Sequence, residues 1–399
     1  MTSKYPTAGP LAGIRVVDVT SVISGPGAMG LLADQGADVI KVEPPQGDIM
    51  RHRGDDENFT PGFVSVNRGK RSVVLNLKNP DAAPVLWKLI ATADVFAQNF
   101  RPGVIERLGF DADTVLARHP GLVYLSISGV GRLGPYVKKR VYDPVVQALS
   151  GFAEIQADPV SNRPKMIRTL IADKTTAVYA SQAVLAALLA RGRTGNGQHV
   201  ELAMLDTMVS YIWPEAMAQF SKIGAENLDA ASTPHDMIFP TADGYITLGT
   251  VSDKEWLALC HAVQRPDLIE DPRFLTAGLR NKNRQERMEV IEAALGPFGT
   301  TEIIATLEAA DVPCAPVLSR WEMLSDPQVQ ANDVVHEIDQ PGLGPVRQAR
   351  AAAKFSATPN APVPTAPRLG EHTVSVLEDL GYGAGEVAAL IDAGVAAKP

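Results

Sequence analysis

Residues 14–43, IRVVDVTSVISGPGAMGLLADQGADVIKVE, decide the fold class because a helix pattern lies between two strand patterns. Apolar and β-branched residues predict buried strands over 14–18 and 37–43, and residues 30–35 predict a short helix that ends at Gly36. The same alternation continues downstream, with strands predicted at 72–77, 93–98 and 122–128 and a helix at 82–91. Strands separated by helices of this length predict an α/β fold, in which helices cover both faces of a parallel sheet.

The length and composition of the chain indicate a globular protein with more than one lobe. Its 399 residues exceed what one hydrophobic core usually holds. Hydrophobic residues make up 45% and charged residues 21% of the chain, which is too apolar for a disordered protein. The formal net charge of −8 argues against nucleic acid as the main partner, because that partner requires a basic face.

The cysteines and the hydropathy pattern predict a cytoplasmic protein. The sequence contains only two cysteines, Cys260 and Cys314, fewer than a secreted disulfide scaffold requires. The N-terminal segment MTSKYPTAGPLAG has no apolar core of signal-peptide length, and no later segment reaches the roughly 18 apolar residues of a membrane span. We therefore expect no membrane partner.

The alternation of strands and helices stops around residues 206–232, where the pattern of the chain changes. Asp243 and Gly244 form a hairpin-type pair between FPTA and YITLGTV, which predicts a small antiparallel sheet. Further along, the sequence predicts a helix at 302–310, a Pro- and Ala-rich linker at 358–367 and a closing helix at 373–380.

Three glycines match the G-x-G-x-x-G pattern of dinucleotide-binding proteins. They are Gly25, Gly27 and Gly30, and Glu43 ends the next predicted strand at about the distance of a ribose-binding acid. Residues 20–24 separate the first glycine from the strand, however, so that a pyrophosphate would not meet the helix N-terminus. We interpret the glycines as permitting a tight strand-to-helix connection, and we keep an NAD-binding dehydrogenase as a minor alternative.

Asp173 is the first candidate for chemistry. It lies between a strand-like segment, 166–172, and a helix predicted from Lys174 to about residue 190. An aspartate at such a boundary is expected to cap the helix, and the helix dipole is expected to keep its carboxylate ionised. An ionised carboxylate is a usable nucleophile toward a thioester carbonyl. On position alone, a plain capping role is the better explanation.

Longer segments carry a resemblance that spans almost the entire chain. The N-terminal segments are LAGIRVVDVTSVISGP, LLADQGADVIKVEPPQGD, NRGKRSVVLNLK and ADVFAQNFRPGVIERLGF. The later ones are SISGVGRLGPY, YDPVVQALSG, RTGNGQHVELAMLD, DVPCAPV and APRLGEHTVSVLEDLGY. In this order they resemble the class III CoA-transferases, a family that includes formyl-CoA and carnitine-type transferases and the α-methylacyl-CoA racemases.

The resemblance implies a fold and an assembly. It implies a Rossmann-like large domain built from both chain ends, residues 1–210 and 331–399, with a smaller α+β domain at 225–330. It also implies an interlocked homodimer. Acyl-CoA and carboxylic acids are the implied substrates, and no metal and no separate cofactor are expected because CoA itself is the carrier.

The resemblance also implies roles for individual residues. The Asp173 carboxylate would attack the donor acyl-CoA to form a mixed anhydride, and CoA thiolate would convert that anhydride to an aspartyl-CoA thioester. Besides the CoA-binding residues named next, Arg71 and Arg101 are possible cations for binding CoA. In the first loop, Ser21 and Ile23 stand where family transferases have His and Gln. The implied CoA-binding residues are Val22, Ser24, Leu75, Lys78, Asn99, Phe100, Arg107 and Arg140, and the implied substrate-pocket residues are Tyr142 and His235.

Two departures from family patterns bear on the choice of reaction. Racemase relatives carry a histidine where this chain has Tyr142, and a phenol is poorly suited to take a proton near neutral pH. The sequence therefore favours a CoA-transferase over a racemase, which remains an alternative beside a CoA-binding protein without turnover. Formyl-CoA transferases carry a glycine run where residues 249–252 read GTVS, which argues against a formyl and oxalyl substrate pair.

Overall fold

The computed structural model describes residues 8–52, 59–158, 160–224, 236–360 and 362–399 of the chain. The chain divides into two compact units. The first unit comprises Met1–Ala230 and Asp333–Pro399, and the second comprises Ala231–Asn332.

A seven-stranded sheet forms the centre of the first unit, counted over the described residues. Its strands are β1 (Arg15–Asp18), β2 (Asp38–Glu43), β3 (Lys70–Leu75), β4 (Val95–Gln98), β5 (Val123–Ser128), β6 (Gln198–Ala203) and β12 (Ala396–Ala397). The spatial order is β12-β3-β2-β1-β4-β5-β6. All neighbouring strands are parallel except β12, which pairs antiparallel with β3. The predicted parallel sheet is therefore confirmed.

Helices cover both faces of this sheet. Alternate strand residues point to opposite faces, so that Val16 and Val17 join different apolar clusters. The cluster around Val16 packs against α1 (Ser24–Asp34) and α8 (Ile171–Thr194), and the cluster around Val17 packs against α3 (Ala82–Ala91). Because both faces are buried, the strands have the near-continuous apolar sequence of a parallel sheet.

Further helices of the first unit connect the strands and close the chain. They are α2 (Pro61–Asn67), α4 (Val104–Arg107), α5 (Ala112–Arg118), α6 (Asp143–Leu149), α7 (Phe152–Ile155), α9 (Met204–Ile212), α16 (Thr373–Asp379) and α17 (Ala384–Asp392), with 3-10 turns at Ile49–His52 and Ala218–Phe220. An antiparallel hairpin, β10 (Val335–Gln340) and β11 (Gly344–Ala349), precedes the Pro- and Ala-rich segment. The sequence did not predict this hairpin.

The second unit combines a small antiparallel sheet with helices. Its strands are β7 (Ile238–Pro240), β8 (Tyr245–Leu248) and β9 (Cys314–Pro316). The predicted hairpin at Asp243 and Gly244 joins β7 to β8 and is confirmed. Asp243 also accepts a hydrogen bond from the Thr300 N–H at 2.7 Å. The helices are α10 (Asp253–Ala262), α11 (Ala277–Lys282), α12 (Arg284–Leu295), α13 (Thr300–Ala309), α14 (Arg320–Ser325) and α15 (Pro327–Ala331), with a 3-10 turn at Pro266–Ile269.

Two predicted segments differ in the structure. Helix α1 begins at Ser24, six residues before its predicted start, because Gly25 and Gly27, which were interpreted as part of the strand-to-helix connection, lie inside the helix and allow close packing. A Cβ on Gly27 would lie 3.2 Å from the Ala177 Cβ of α8. The strand predicted at 166–172 was wrong: α8 already begins at Ile171, and no described strand pairs with this segment.

Among the described residues, no single helix is long and apolar enough to cross a membrane. The pair Arg284–Leu295 and Thr300–Ala309 meets the length and composition criterion only when taken together, across a bend of 115°.

Candidate active site

The candidate site lies at the carboxyl ends of the parallel strands, where β1 and β4 are neighbours. From β1 the chain builds β2 and β3 on one side, whereas β4, β5 and β6 extend the sheet on the other. The loops after β1 and β4 therefore diverge, which leaves a crevice where ligands usually bind in open α/β sheets. Asn99 joins the two loops: its Oδ1 accepts from the Ser21 N–H at 2.9 Å and its Nδ2 donates to the Ser21 carbonyl at 2.8 Å.

Among the cavities that the described residues form at this edge of the sheet, two concern the candidate site. The first has a volume of about 420 Å³ and contains Asp173 in its wall. The second has a volume of about 550 Å³ and is bordered by Leu75 and Lys78 at the end of β3. The residues that line both cavities are Ser21, Phe100 and Val104. Because they share these residues as walls, the two cavities are adjacent, and together they are called the groove below.

Asp173 lies in the first turn of α8 and is only 8% exposed. The expected capping role was wrong, because the residue that precedes the helix is Leu170, and Asp173 is the third helical residue. Its backbone N–H donates to Asp143 Oδ2 at 3.1 Å. Its side chain borders the first cavity and does not close the helix end.

The surroundings of Asp173 raise the pKa of its carboxyl to about 6. Burial is the largest cause, and the nearby Asp143 carboxylate is the second. The hydroxyl and the backbone N–H of Ser24 favour the charged form and oppose both effects. The expectation that a helix N-terminus keeps this carboxylate ionised agrees with a pKa of about 6, but burial and a like charge, which the sequence did not indicate, raise the pKa above that of an ordinary aspartate. At pH 7 the carboxylate is still mostly ionised, but it is poorly solvated.

Asp143 is a site residue that the sequence reasoning missed. It is the first residue of α6 and is 1% exposed. Besides the Asp173 N–H, it accepts a hydrogen bond from Gln147 Nε2 at 2.6 Å. The segment YDPVVQ contains it, but only the fold brings it beside a carboxylate that is thirty residues away.

One family profile covers the residues that form this site. The sequence profile described as CoA-transferase family III matches residues 11–373, which include Asp173, Asp143 and the strands that form the groove. The chain belongs to CoA-transferase family III. It is therefore an enzyme of the CoA-transferase class.

Relatives of this transferase support the assignment along almost its full length. A succinate–glutarate CoA-transferase of Agrobacterium fabrum is 33% identical over 384 residues, which cover 93% of this chain and 96% of the relative. A formyl-CoA:oxalate CoA-transferase of Escherichia coli is 33% identical, with 96% of this chain and 98% of the relative covered. A crystal structure from Mycobacterium tuberculosis matches with a TM-score of 0.82 at 33% identity, covering 93% of this chain and 99% of that one.

A buried ionic network underlies the groove of the transferase. Three pairs form it: Asp18 with Lys70 at 2.9 Å, Lys41 with Asp48 at 3.0 Å and Glu43 with Arg51 at 2.8 Å. Burial would raise the pKa of Asp18, but Lys70 and Lys41 outweigh burial and lower it. Burial lowers the pKa of Lys70 to about 8. Removing one member would leave an uncompensated buried charge, which is strongly destabilising.

The same network removes support for the NAD alternative. Glu43 receives two hydrogen bonds from Arg51, each at 2.8 Å, and one from Ser72 Oγ at 2.7 Å. The Glu43 carboxylate is therefore engaged by Arg51 and Ser72 and is not positioned to bind a ribose. A Cβ on Gly25 would lie 2.4 Å from the Thr20 Cβ, so this glycine is required by close packing.

The cations predicted to bind CoA lie at different cavities, and one of them lines neither cavity. Lys78 borders the second cavity, whereas Arg101 and Arg140 border the first, together with Lys139. Arg107 is exposed at the last residue of α4 and lines neither cavity.

Arg71 was wrongly placed by sequence reasoning. It lies near the amino end of β3 and pairs with Asp38, the first residue of β2, at 2.7 Å. It is therefore at the end of the strands opposite the groove.

Of the two predicted pocket residues, Tyr142 borders the first cavity and is 57% exposed. His235 lies outside the described residues. Within the described residues, no group of three or more His, Cys, Asp or Glu side chains could hold a metal ion.

Proposed function

We propose that this transferase moves CoA from an acyl-CoA donor to a carboxylic acid acceptor and that Asp173 is the nucleophile. The carrying observation is a carboxylate in the wall of the groove whose pKa, about 6, leaves it charged at neutral pH although it is only 8% exposed. A desolvated anion beside a cavity is more reactive than one that water surrounds.

The proposed reaction proceeds in balanced steps. An oxygen of Asp173 attacks the thioester carbonyl of the donor, and the carbon–sulfur bond breaks to release CoA thiolate and a mixed anhydride. The thiolate attacks the aspartyl carbonyl, which frees the donor acid and leaves an aspartyl-CoA thioester. The acceptor carboxylate then attacks this thioester, and the returning thiolate takes the acceptor acyl group from the second anhydride. No metal and no resident cofactor take part, and the free energy of the thioester is retained throughout.

Ser24 has a proposed role in these steps. Its hydroxyl and backbone N–H stabilise the charged Asp173 carboxylate. The same donors can stabilise negative charge that develops on the aspartyl oxygens when thiolate or acceptor attacks.

The two adjoining cavities suggest how CoA binds. We place the nucleotide end in the second cavity, where Lys78 supplies a positive charge for phosphate. The pantetheine arm would pass Ser21 and Phe100, which line both cavities, and the thioester would reach Asp173 in the first.

The acceptor is proposed to be a dicarboxylic acid. The Agrobacterium relative named above carries the names of succinate and glutarate, both of which have two carboxyl groups. The first cavity is bordered by Arg101, Lys139 and Arg140, and a guanidinium can bind the second carboxylate through two parallel hydrogen bonds.

A homodimer is also proposed, with the interlocked form implied by the family. Its support is apolar surface on α8 and α9 and just beyond: Val178 is 56%, Leu189 65%, Tyr211 48% and Trp213 48% exposed. Several large apolar side chains exposed on two neighbouring helices are consistent with a protein interface. Light scattering at micromolar concentration is expected to give twice the chain mass of 42.5 kDa, and a monomer would contradict the assembly.

Intact-mass analysis tests the proposed nucleophile. Incubation with succinyl-CoA or glutaryl-CoA should add a hydroxylamine-sensitive group that peptide mapping locates at Asp173. Asp173→Ala should abolish both the adduct and the transfer of CoA between acids. Asp206→Ala is the matched control, because Asp206 also lies in the first turn of a helix but is exposed on α9.

Two outcomes would contradict the proposal. One is undiminished CoA transfer by Asp173→Ala. The other is incorporation of solvent deuterium at the α-carbon of an acyl-CoA without any acceptor acid, since that result indicates racemisation.

A further inference from the structure

The loop that joins β1 to α1 is held at residues 20–22 by side chains from the end of β1, from the residue after β4 and from the loop after β2. Each of its three N–H groups donates to a side-chain oxygen: Thr20 to Asp18 at 2.9 Å, Ser21 to Asn99 at 2.9 Å and Val22 to Asp48 at 3.4 Å. The Thr20 carbonyl accepts from Lys41 Nζ at 3.0 Å. A connecting loop held this closely has little freedom to change shape.

Val22 adopts an unfavourable backbone conformation within this loop. Its φ angle is +73°, in the left-handed region that β-branched residues rarely occupy. Such a conformation persists only when surrounding contacts impose it, and it is concentrated at functional sites. The turn at Val22 is followed at once by Ile23 and by Ser24, the first residue of α1.

Asp48 is hydrogen-bonded to the turn at Val22. It is 3% exposed, and its Oδ1 accepts from the N–H groups of Val22 and of Met50, the latter at 2.9 Å. Its Oδ2 accepts from Lys41 Nζ at 3.0 Å, and Lys41 is itself fully buried. The Asp48 carboxylate therefore links the turn at Val22 to Lys41, whose ammonium group also donates to the Thr20 carbonyl.

We infer that Asp48, paired with Lys41, is a positioning residue for the transfer reaction: it holds Val22 in the left-handed conformation that directs Ser24 toward Asp173. Asp48 itself touches neither Asp173 nor, in this inference, the reacting atoms. The inference rests on the proposed role of Asp173 and adds a residue from the loop after β2 to the machinery that sets its charge.

The test is Asp48→Asn, in which the two sides of the carboxylate become different. If the amide oxygen faces Lys41, the amide N–H groups oppose the N–H groups of Val22 and Met50. If the side chain is flipped, the N–H groups oppose the Lys41 ammonium. The hydrogen bonds of Asp48 to Val22, Met50 and Lys41 are called the clamp below. Either orientation of the asparagine removes the hydrogen bonds on one side of this clamp.

The expected result is a higher pKa for the Asp173 carboxyl, since Ser24 would no longer stabilise its charged form. Loss of a hydrogen bond to a charged group should raise that pKa by about one unit. Carbon-13 NMR of labelled aspartate carboxyls, assigned with Asp173→Asn, measures it directly, and the acidic limb of kcat/KM should move by the same amount. Activity should recover as the pH rises, whereas a simple folding defect would reduce it equally at every pH.

Asp48→Asn leaves the other charges around Asp173 unchanged. Asp143 faces it from α6, and the cations that border the same cavity are Arg101, Lys139 and Arg140. Asp34→Asn is the matched control, because Asp34 is another largely buried carboxylate with an arginine partner, Arg68 at 2.8 Å. It should leave the Asp173 pKa unaltered.

A second change tests Val22 as the residue that the clamp holds. Glycine adopts a φ of +73° without a side-chain clash, so Val22→Gly added to Asp48→Asn should return the Asp173 pKa toward the wild-type value. If Asp48→Asn does not fold, Lys41→Met with Asp48→Leu removes both charges together and should raise the pKa in the same direction.

The inference is overturned if folded Asp48→Asn, or the Lys41→Met and Asp48→Leu pair, keeps the wild-type carboxyl pKa. It is also overturned if Val22→Gly does not reverse the change. Failure of the proposed nucleophile gives a different result: Asp173→Ala would then retain transfer, while the NMR titration would still report on the clamp.

Discussion

Replacing Asp143 with asparagine tests how the active site sets the charge of its carboxylate. Asp143 is almost fully buried and lies beside Asp173, whose N–H it accepts at 3.1 Å. The asparagine side chain has nearly the same volume but carries no charge. The substitution therefore removes one cause of the raised Asp173 pKa and leaves the other, burial, in place.

The structure sets the size of the expected change. The Asp173 pKa of about 6 compares with 3.8 for an ordinary aspartate, and burial contributes more to the difference than Asp143 does. We expect Asp143→Asn to lower the Asp173 pKa by about one unit, which is less than the full difference. Asparagine also has only one acceptor oxygen, so that either the Gln147 amide or the Asp173 N–H loses its partner. That loss should destabilise the fold by about 1–3 kcal/mol.

The assay is the pH dependence of kcat/KM. A nucleophilic Asp173 must be deprotonated, so wild-type activity should fall below half of its plateau as the pH drops through about 6. In Asp143→Asn the acidic limb should move to lower pH, and the ratio of kcat/KM at pH 5.5 to its plateau should rise about threefold. The plateau itself should fall, because a less basic carboxylate is a weaker nucleophile. Asp206→Asn, which removes an exposed charge on α9, is the control and should leave the limb unchanged.

An acidic limb that stays in place or moves to higher pH in folded Asp143→Asn would refute this reasoning. The like-charge effect of Asp143 on Asp173 would then be absent in solution, and burial alone would have to explain the raised pKa.

Three further predictions concern stability and binding. Asp173→Asn should raise the free energy of unfolding near pH 7 by up to about 3 kcal/mol. Because the folded-state pKa of Asp173 is raised, its charged form destabilises the fold as the pH increases through about 6. Thermal melts near pH 5 should therefore show a smaller gain in stability from Asp173→Asn than melts near pH 7. An equal gain at both pH values would contradict this prediction. Asn99→Ala removes both hydrogen bonds that brace the loop after β1, and it should lower kcat/KM for acyl-CoA about five- to tenfold while the melting temperature changes little. Gly30→Ala should destabilise the protein by about 1–3 kcal/mol, because its Cβ would lie 2.9 Å from a backbone carbonyl. Gly192→Ala in α8 meets open space and should stabilise it by about 0.5–1 kcal/mol, so chemical denaturation that ranks the two glycine variants in the opposite order would contradict the packing assignment.

Local patterns explain which elements were predictable. The helix at Ala82–Ala91 was predicted with the bounds it has, since its apolar residues recur with helical spacing. The start of α1 was missed because Gly25, Gly27 and Gly30 have poor helix propensity, and their value lies in contacts with other elements. The hairpin of β10 and β11 was missed because its turn residues, Pro341 and Gly342, are equally common in irregular connections.

The sequence alone is sufficient for the α/β class, which depends on local periodicity, and for family membership, which depends on the order of the motifs; the choice of Asp173 as the candidate nucleophile followed from the family resemblance. Tertiary contacts were needed to show that Asp143 lies beside the Asp173 carboxylate and that Arg51 forms an ion pair with Glu43. They were also needed to show that Arg71 lies at the end of the strands opposite the groove. The physical reason is that charge interactions depend on distance and burial, and both are set by residues that are far apart along the chain.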